Sequence, residues 1–284
     1  MRILPDNEII KKLKCPICGS AMLMDENTGA SLFCGGGRKH CYDFSASGYV
    51  NLMPPGHSAS GDGKAAVRAR RDFLSKGYYK PAADALADIL SERLPRGAFV
   101  IDAGCGEGYY TSAVAERGFI TAGVDISKFA ADAAAKRAAV SGVGNNSLFA
   151  VGSVFGLPLF DGSADAVTNI FAPCAEDEFC RVLKDCGILA VVYAGPEHLW
   201  GLKEAIYDTA KENDGRADMP KNMRLLEERR VRFDITVEGN ADILALFSMT
   251  PYYWRTSPSD SEKLSGLERL DTAVDMMIAV YVKE

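Results

Sequence analysis

The run IDAGCGEGYYT at residues 101–111 constrains this chain more than any other stretch. It is entered from an apolar strand at 98–103 and opens a helical segment at about 109–117. Gly104, Gly106 and Gly108 give a G-x-G-x-G loop, where glycine permits a tight turn and lets a ligand touch the backbone. The helix start supplies free N–H groups and a partial positive charge for an anion. Asp125 ends the next strand, 21 residues after Gly104, where a carboxylate is placed to accept both hydroxyls of an adenosine ribose. Dinucleotide loops prefer G-x-G-x-x-G. Here the third glycine comes one position early, and Asp102 stands just before the loop. That form suits S-adenosylmethionine, which has no pyrophosphate and whose ammonium group wants an acid such as Asp102.

Around this loop the chain alternates helical and strand patterns. Helices are expected at 82–94, 109–117 and 128–140, with further helical segments beginning at Glu176 and Leu199. Strands are expected at 98–103, 119–125, 147–151, 164–171, 187–193, 231–237 and 273–282. Such alternation predicts an α/β fold with a mostly parallel seven-stranded sheet covered on both faces. The 284 residues allow one large domain or two unequal ones, and 48% hydrophobic with 25% charged residues excludes wholesale disorder and fibrous architectures. The longest apolar run, 188–194, is far short of the ~20 residues that cross a bilayer. The first residues carry no apolar signal region, so no membrane partner and a cytoplasmic location are expected.

The cysteines mark a second unit. Four of the eight, Cys15, Cys18, Cys34 and Cys41, lie in the first 41 residues. Cys15-Pro-Ile-Cys18 is a CxxC knuckle, Cys34 follows after 15 intervening residues, and His40 and Cys41 come soon after. This is tetrahedral zinc spacing with five candidates for four places, His40 and Cys41 competing for the last. About 50 residues with so few apolar side chains would be marginal without metal, so zinc would supply folding energy. The expected organisation is a zinc-binding domain at 1–50, a linker and basic helix at 51–80, and a cofactor-binding body at 81–284. Residues 1–80 carry 12 Lys and Arg against 7 Asp and Glu, whereas the remainder carries 20 against 31. A basic first third on an acidic body points to a polyanion at that end.

Together these features resemble the 23S rRNA (guanine-N1)-methyltransferase family. The matching runs are CPIC (15–18), GYVNLMP (48–54), ARRDFL (69–74), GYY (77–79), GCGEGYYT (104–111), FAPC (171–174), GPEHL (195–199) and MTPYYW (249–254), in order along almost the whole chain. The glycine loop is generic to methyltransferases; the knuckle, ARRDFL and GPEHL are far more specific. The resemblance implies a Rossmann-like class I methyltransferase domain behind a small N-terminal zinc-binding domain, with S-adenosylmethionine and a structural Zn2+ as cofactors and 23S rRNA as partner. It implies Tyr79, Gly106, Glu107 and His198 as cofactor contacts. It also favours His40 as fourth zinc ligand, because His40-Cys-Tyr-Asp43 matches the family's ligand run, although three extra glycines here separate it from Cys34. Family members include dimers that grip RNA between subunits, which makes a homodimer a candidate assembly.

Guanine N1 carries a proton at neutral pH, so methylation there requires its removal by a positioned base. Glu107, Asp125, Glu197 and His198 are the candidates, and the sequence assigns none of them as catalytic. N1 lies on the Watson–Crick edge, so the target must be in a loop or flipped out. Arg68, Arg70, Arg71 and Lys76, with Lys11, Lys12, Lys14, Arg38 and Lys39 of the first unit, could hold phosphates. Three competing readings remain at this stage. One is a pyrimidine C5-methyltransferase with Cys174 as nucleophile. Another is a small-molecule methyltransferase with a zinc docking module. The last is a non-enzymatic RNA or protein adaptor with a degenerate body.

Overall fold

A computed structural model describes residues 3–56, 61–213 and 220–284. Residues 57–60 of the expected linker lie outside the described residues. In chain order the elements are α1 (Asn7–Ile10), β1 (Met22–Met24), β2 (Ser31–Cys34), β3 (Cys41–Asp43), β4 (Val50–Asn51), α2 (Lys64–Leu74), α3 (Lys80–Ser91) and β5 (Phe99–Ala103). They continue with α4 (Tyr109–Glu116), β6 (Ile120–Asp125), α5 (Lys128–Val140), β7 (Ser147–Val151), β8 (Ala164–Ile170), α6 (Glu176–Val182) and β9 (Leu183–Ala194). The last are α7 (Trp200–Ile206), β10 (Arg224–Glu238), α8 (Asn240–Ser248), α9 (Pro258–Glu262) and β11 (Arg269–Val282).

The main sheet has the order β10-β11-β9-β8-β5-β6-β7-β4. Neighbours from β4 to β9 run parallel, and β9, β11 and β10 pair antiparallel. The central strands are apolar throughout because both faces are covered; every residue of β5 is buried. Alternate residues serve opposite faces: Phe99 and Ile101 join the cluster under the N-terminal segment and α6, while Val100 joins the cluster under α3, α7 and α8. No helix among the described residues is long and apolar enough to cross a membrane.

Eight strands form this sheet where seven are expected. The extra one is β4, whose Val50 and Asn51 add in parallel to the edge strand β7, with the Leu52 amide continuing the ladder to the Val151 carbonyl at 2.9 Å. A two-residue strand has no periodicity to read. It closes an edge that would otherwise present unpaired backbone groups. Helix α8, also absent from the sequence reading, packs against α2 and buries Ile243, Leu246 and Phe247.

Strands β1–β3 form a separate antiparallel ribbon. The ribbon does not hang free. Ile9, Ile10, Leu13, Met22 and Leu32 share one apolar cluster with Phe99, Ile101 and Leu148 of the main sheet. Leu13 pairs with Leu159, and the Lys14 amide donates to the Pro158 carbonyl at 3.0 Å. Leu159→Ala should therefore lower global stability by about 2–5 kcal/mol, read from urea unfolding. A loss under about 1 kcal/mol would show that ribbon and sheet do not share a core.

Candidate active site and metal centre

The glycine loop follows β5 at the switch point where β6 lies to one side and β8 to the other, the place where parallel sheets open a crevice. The crevice is a cleft of about 1430 Å³. Tyr79, Asp102, Gly104, Gly106, Glu107, Asp125 and His198 all line it. Of the expected cofactor residues only Gly108 does not.

Each loop glycine has its own reason. Gly104 has φ +87°, and a Cβ there would stand 2.5 Å from the Ala172 Cβ, so it lets the loop press against the segment after β8. Gly106 has φ +55° and meets nothing nearer than Arg70 at 3.7 Å, which leaves its backbone open to the cleft. Gly108 caps α4 at φ +77°; a Cβ there would come within 2.8 Å of Ala134, so it sets the approach of α4 to α5.

Three carboxylates converge on the loop. Asp102 is buried and accepts from the Thr111 and Thr168 hydroxyls at 2.5 and 3.1 Å. Burial pushes its pKa up to about 6, against those two hydrogen bonds. Glu107 is likewise raised by burial, offset by the positive charge of Arg70 and Arg137. Asp125 accepts from the Gly106 amide at 2.9 Å and the Ser127 amide at 2.8 Å, and it too is raised by burial. Arg70, which the sequence reading places among phosphate contacts, instead lines the cleft and pairs with Asp62 at 2.6 Å. Around the loop Asp62, Asp102, Glu107 and Asp125 outnumber Arg70, an arrangement that suits a cationic ligand, and Gly106 gives that ligand backbone to lie against. S-adenosylmethionine fits this donor set.

The opposite wall comes from the loop after β9. Asp275, fully buried on β11, accepts the Arg230 guanidinium at 2.8 and 2.9 Å and the Glu197 amide at 2.9 Å. Its own amide donates to His198 Nδ1 at 3.2 Å, so the His198 proton sits on Nε2. Burial pushes this imidazole down to about 4. His198 is thus a neutral donor at neutral pH and a poor base. The Tyr79 ring meets it edge-on at 6.2 Å and Phe171 stacks on it at 5.6 Å. Glu197, another candidate base, turns away: it pairs with Arg230 and Arg232 and lines a separate groove.

Asn213 is a tie that the sequence did not reveal. Its amide donates to the Gly195 carbonyl at 2.9 Å, and its oxygen accepts from Lys203 and the Tyr252 hydroxyl, both at 2.8 Å. The 3-10 turn Pro251–Trp254 contributes a rim: Trp254 is 82% exposed at the cleft, beside the exposed Arg255. MTPYYW marks this turn as a family run, but a run without a chemical role gave no site.

In the ribbon, Cys15, Cys18, Cys34 and His40 bring one ligand atom each to within 4.8 Å of one another. Cys34 Sγ lies 3.4 Å from His40 Nδ1 and 3.6 Å from Cys18 Sγ, close to the edges of a tetrahedron with Zn–S of ~2.3 Å and Zn–N of ~2.0 Å. Three thiols and an imidazole are zinc chemistry, and four ligands leave no open position for catalysis. Cys41 stays outside the cluster, exposed, with Sγ 3.7 Å from Asp43 Oδ1. One of the three glycines has a packing reason: a Cβ at Gly36 would stand 3.2 Å from Cys18 Sγ and 2.9 Å from Ser20 Oγ, whereas one at Gly37 would meet nothing within 4 Å.

Fold, glycine loop and Cys3His cluster define an S-adenosylmethionine-dependent methyltransferase with a structural zinc ribbon. A family model described as "Methyltransferase domain" matches residues 95–240, and a zinc-ribbon model described as "RlmA, N-terminal" matches 13–60. A Micromonospora griseorubida protein provisionally named 23S rRNA (guanine-N1)-methyltransferase is 30% identical over 89% of this chain and 90% of its own. A Bacillus subtilis (strain 168) protein with the same provisional name is 30% identical over 95% and 96%. The Streptomyces fradiae 23S rRNA (guanine(748)-N1)-methyltransferase is 29% identical over 95% and 97%. The chain belongs to the 23S rRNA (guanine-N1)-methyltransferase family.

Removing Cys18 should empty the ribbon site and removing Cys41 should not. Cys18→Ser is expected to fall well below one zinc per chain by elemental analysis, while Cys41→Ser keeps a full complement. The reverse pattern would put the wrong residue in the cluster.

Proposed function

We propose that this protein transfers a methyl group from S-adenosylmethionine to N1 of a guanine in a hairpin of 23S rRNA, with the zinc ribbon helping to hold the RNA. Family membership along the whole chain, combined with an intact desolvated cleft, carries this reading. In it, residues 1–50 form the ribbon unit, 51–80 the connection and 81–284 the methyltransferase body. Cys15, Cys18, Cys34 and His40 hold the zinc. A ribosomal substrate brings with it a cytoplasmic location, and a homodimer remains the assembly that this reading carries over from the family.

When bound, S-adenosylmethionine supplies an electrophilic methyl group on a sulfonium. Asp125 receives the ribose hydroxyls, Asp102 and Glu107 face the positive end, and Tyr79 and His198 close the methionine end. Gly104 and Gly106 let the ligand lie along the loop, and Gly108 holds the helix behind it. The neutral His198 donates through Nε2 and takes no proton. Arg38 and Lys39, exposed on the ribbon and without an ion pair among the described residues, suit phosphate contact, as does Arg255 at the cleft rim.

The test is methyl transfer from labelled S-adenosylmethionine to unmodified 23S rRNA, with the product nucleoside identified by mass. 1-Methylguanosine is expected. A 5-methylpyrimidine would make Cys174, which also lines the cleft, a nucleophile instead.

Cofactor binding should also depend on pH. Asp102 has its free-state pKa raised to about 6, and a cationic ligand favours its ionised form. Affinity should therefore strengthen as pH rises through about 6 and weaken below it. Calorimetric titration from pH 5 to 8 should show this step in the wild type and a smaller one in Asp102→Asn, where Glu107 and Asp125 remain. A step of unchanged size in the variant would remove Asp102 from the ligand set.

A further inference from the structure

Asn169 is a cleft residue to which the reading above gives no role. It sits near the end of β8, is 1% exposed, and lines the cleft. Its Nδ2 donates to the Ala103 carbonyl at 3.2 Å and the Pro173 carbonyl at 3.1 Å. Both partners can only accept, so the amide has one orientation. Oδ1 then faces away from them and accepts no hydrogen bond from any described residue. Among the described residues the one fully enclosed side-chain oxygen or nitrogen without a partner is Ser112 Oγ. Asn169 Oδ1 is therefore not fully sealed off, and the cavity that Asn169 lines is the cleft.

Phe171 stands two residues further on. Its backbone is left-handed at φ +50°, an uncommon conformation for an aromatic residue, and its amide is tied to the Val192 carbonyl at 3.1 Å. Although its ring stacks on His198, it remains 52% exposed. A half-exposed ring held in strained backbone beside an open acceptor in a buried amide is the equipment for gripping one nucleobase, by stacking and by an in-plane hydrogen bond.

We propose that Asn169 and Phe171 form the target-base subsite, with the base stacked on the exposed part of Phe171 and its exocyclic 2-amino group donating to Asn169 Oδ1. The proposal rests on the guanine-N1 reading and names the residue that selects the base. Guanine places its 2-amino donor directly beside N1, whereas the adenine amino group lies on the other side of its N1, and hypoxanthine has no 2-amino group. A neutral amide accepts this hydrogen bond without taking a proton, so Asn169 determines specificity and is not the base.

The experiment uses the full chain and two synthetic hairpins that differ only at the methylated position, one with guanosine and one with inosine. Wild-type kcat/KM should fall about tenfold on the inosine hairpin, the loss expected when a buried acceptor goes unpaired. Asn169→Ala should react with both hairpins at a similar, reduced rate. Phe171→Leu should slow both hairpins and keep the wild-type ratio between them. A purely structural Asn169 would slow both substrates and leave that ratio untouched. Equal wild-type rates on the two hairpins overturn the subsite while the functional reading stands, even if Asn169→Ala does not fold. Absence of 1-methylguanosine on the guanosine hairpin overturns the functional reading and the subsite with it.

Discussion

The close approach of two loops, the one after β5 and the one after β8, is the constraint on which the rest of the site depends. Gly104 can press against Ala172 only because it lacks a Cβ, and the Asn169 amide pins the Ala103 and Pro173 carbonyls from the other side. These contacts close the floor of the switch point and leave the cleft above it. The Asn169 donor group is consumed in that clamp, which leaves Oδ1 as its one unused hydrogen-bonding atom. One side chain thus braces the two loops and presents an acceptor.

Burial shapes the electrostatics of the cleft. Asp102, Glu107 and Asp125 are all raised by desolvation, and the positive charge of Arg70 beside them is paired with Asp62. Carboxylates kept from water in the free protein gain most when a cation arrives, because the ligand replaces solvation they have already lost. His198 is the counterpart on the far wall. With Nδ1 occupied by the Asp275 amide, the imidazole stays neutral and offers one donor of fixed direction. Arg230, bonded to the Asp275 carboxylate from outside the cleft, braces the strand that sets this tautomer.

The ribbon is more than a tethered accessory. Its apolar side is one face cover of the main sheet, and the chain leaving it becomes the edge strand β4. A metal held by Cys15, Cys18, Cys34 and His40 would therefore fix a layer that the sheet itself leans on. The exposed side of the ribbon, with Arg38 and Lys39, is left for solvent or polyanion.

Features that depend on near neighbours were legible in the sequence: the strand–loop–helix around Gly104, the acid at Asp125, the CxxC knuckle, and the alternation that gives a parallel sheet. Each is set by backbone conformation or by spacing within one or two elements, and spacing survives in one dimension. The tertiary structure decided what depends on approach from elsewhere in the chain. It brought His40 and not Cys41 to the thiols and gave Gly108 to helix packing. It also turned Arg70 from the surface into the cleft and Glu197 out of it. Asn169 belongs to this second group. Nothing in its neighbours along the chain says that Ala103, 66 residues away, will occupy its donor, because a hydrogen-bond inventory can be closed only after the strands are side by side.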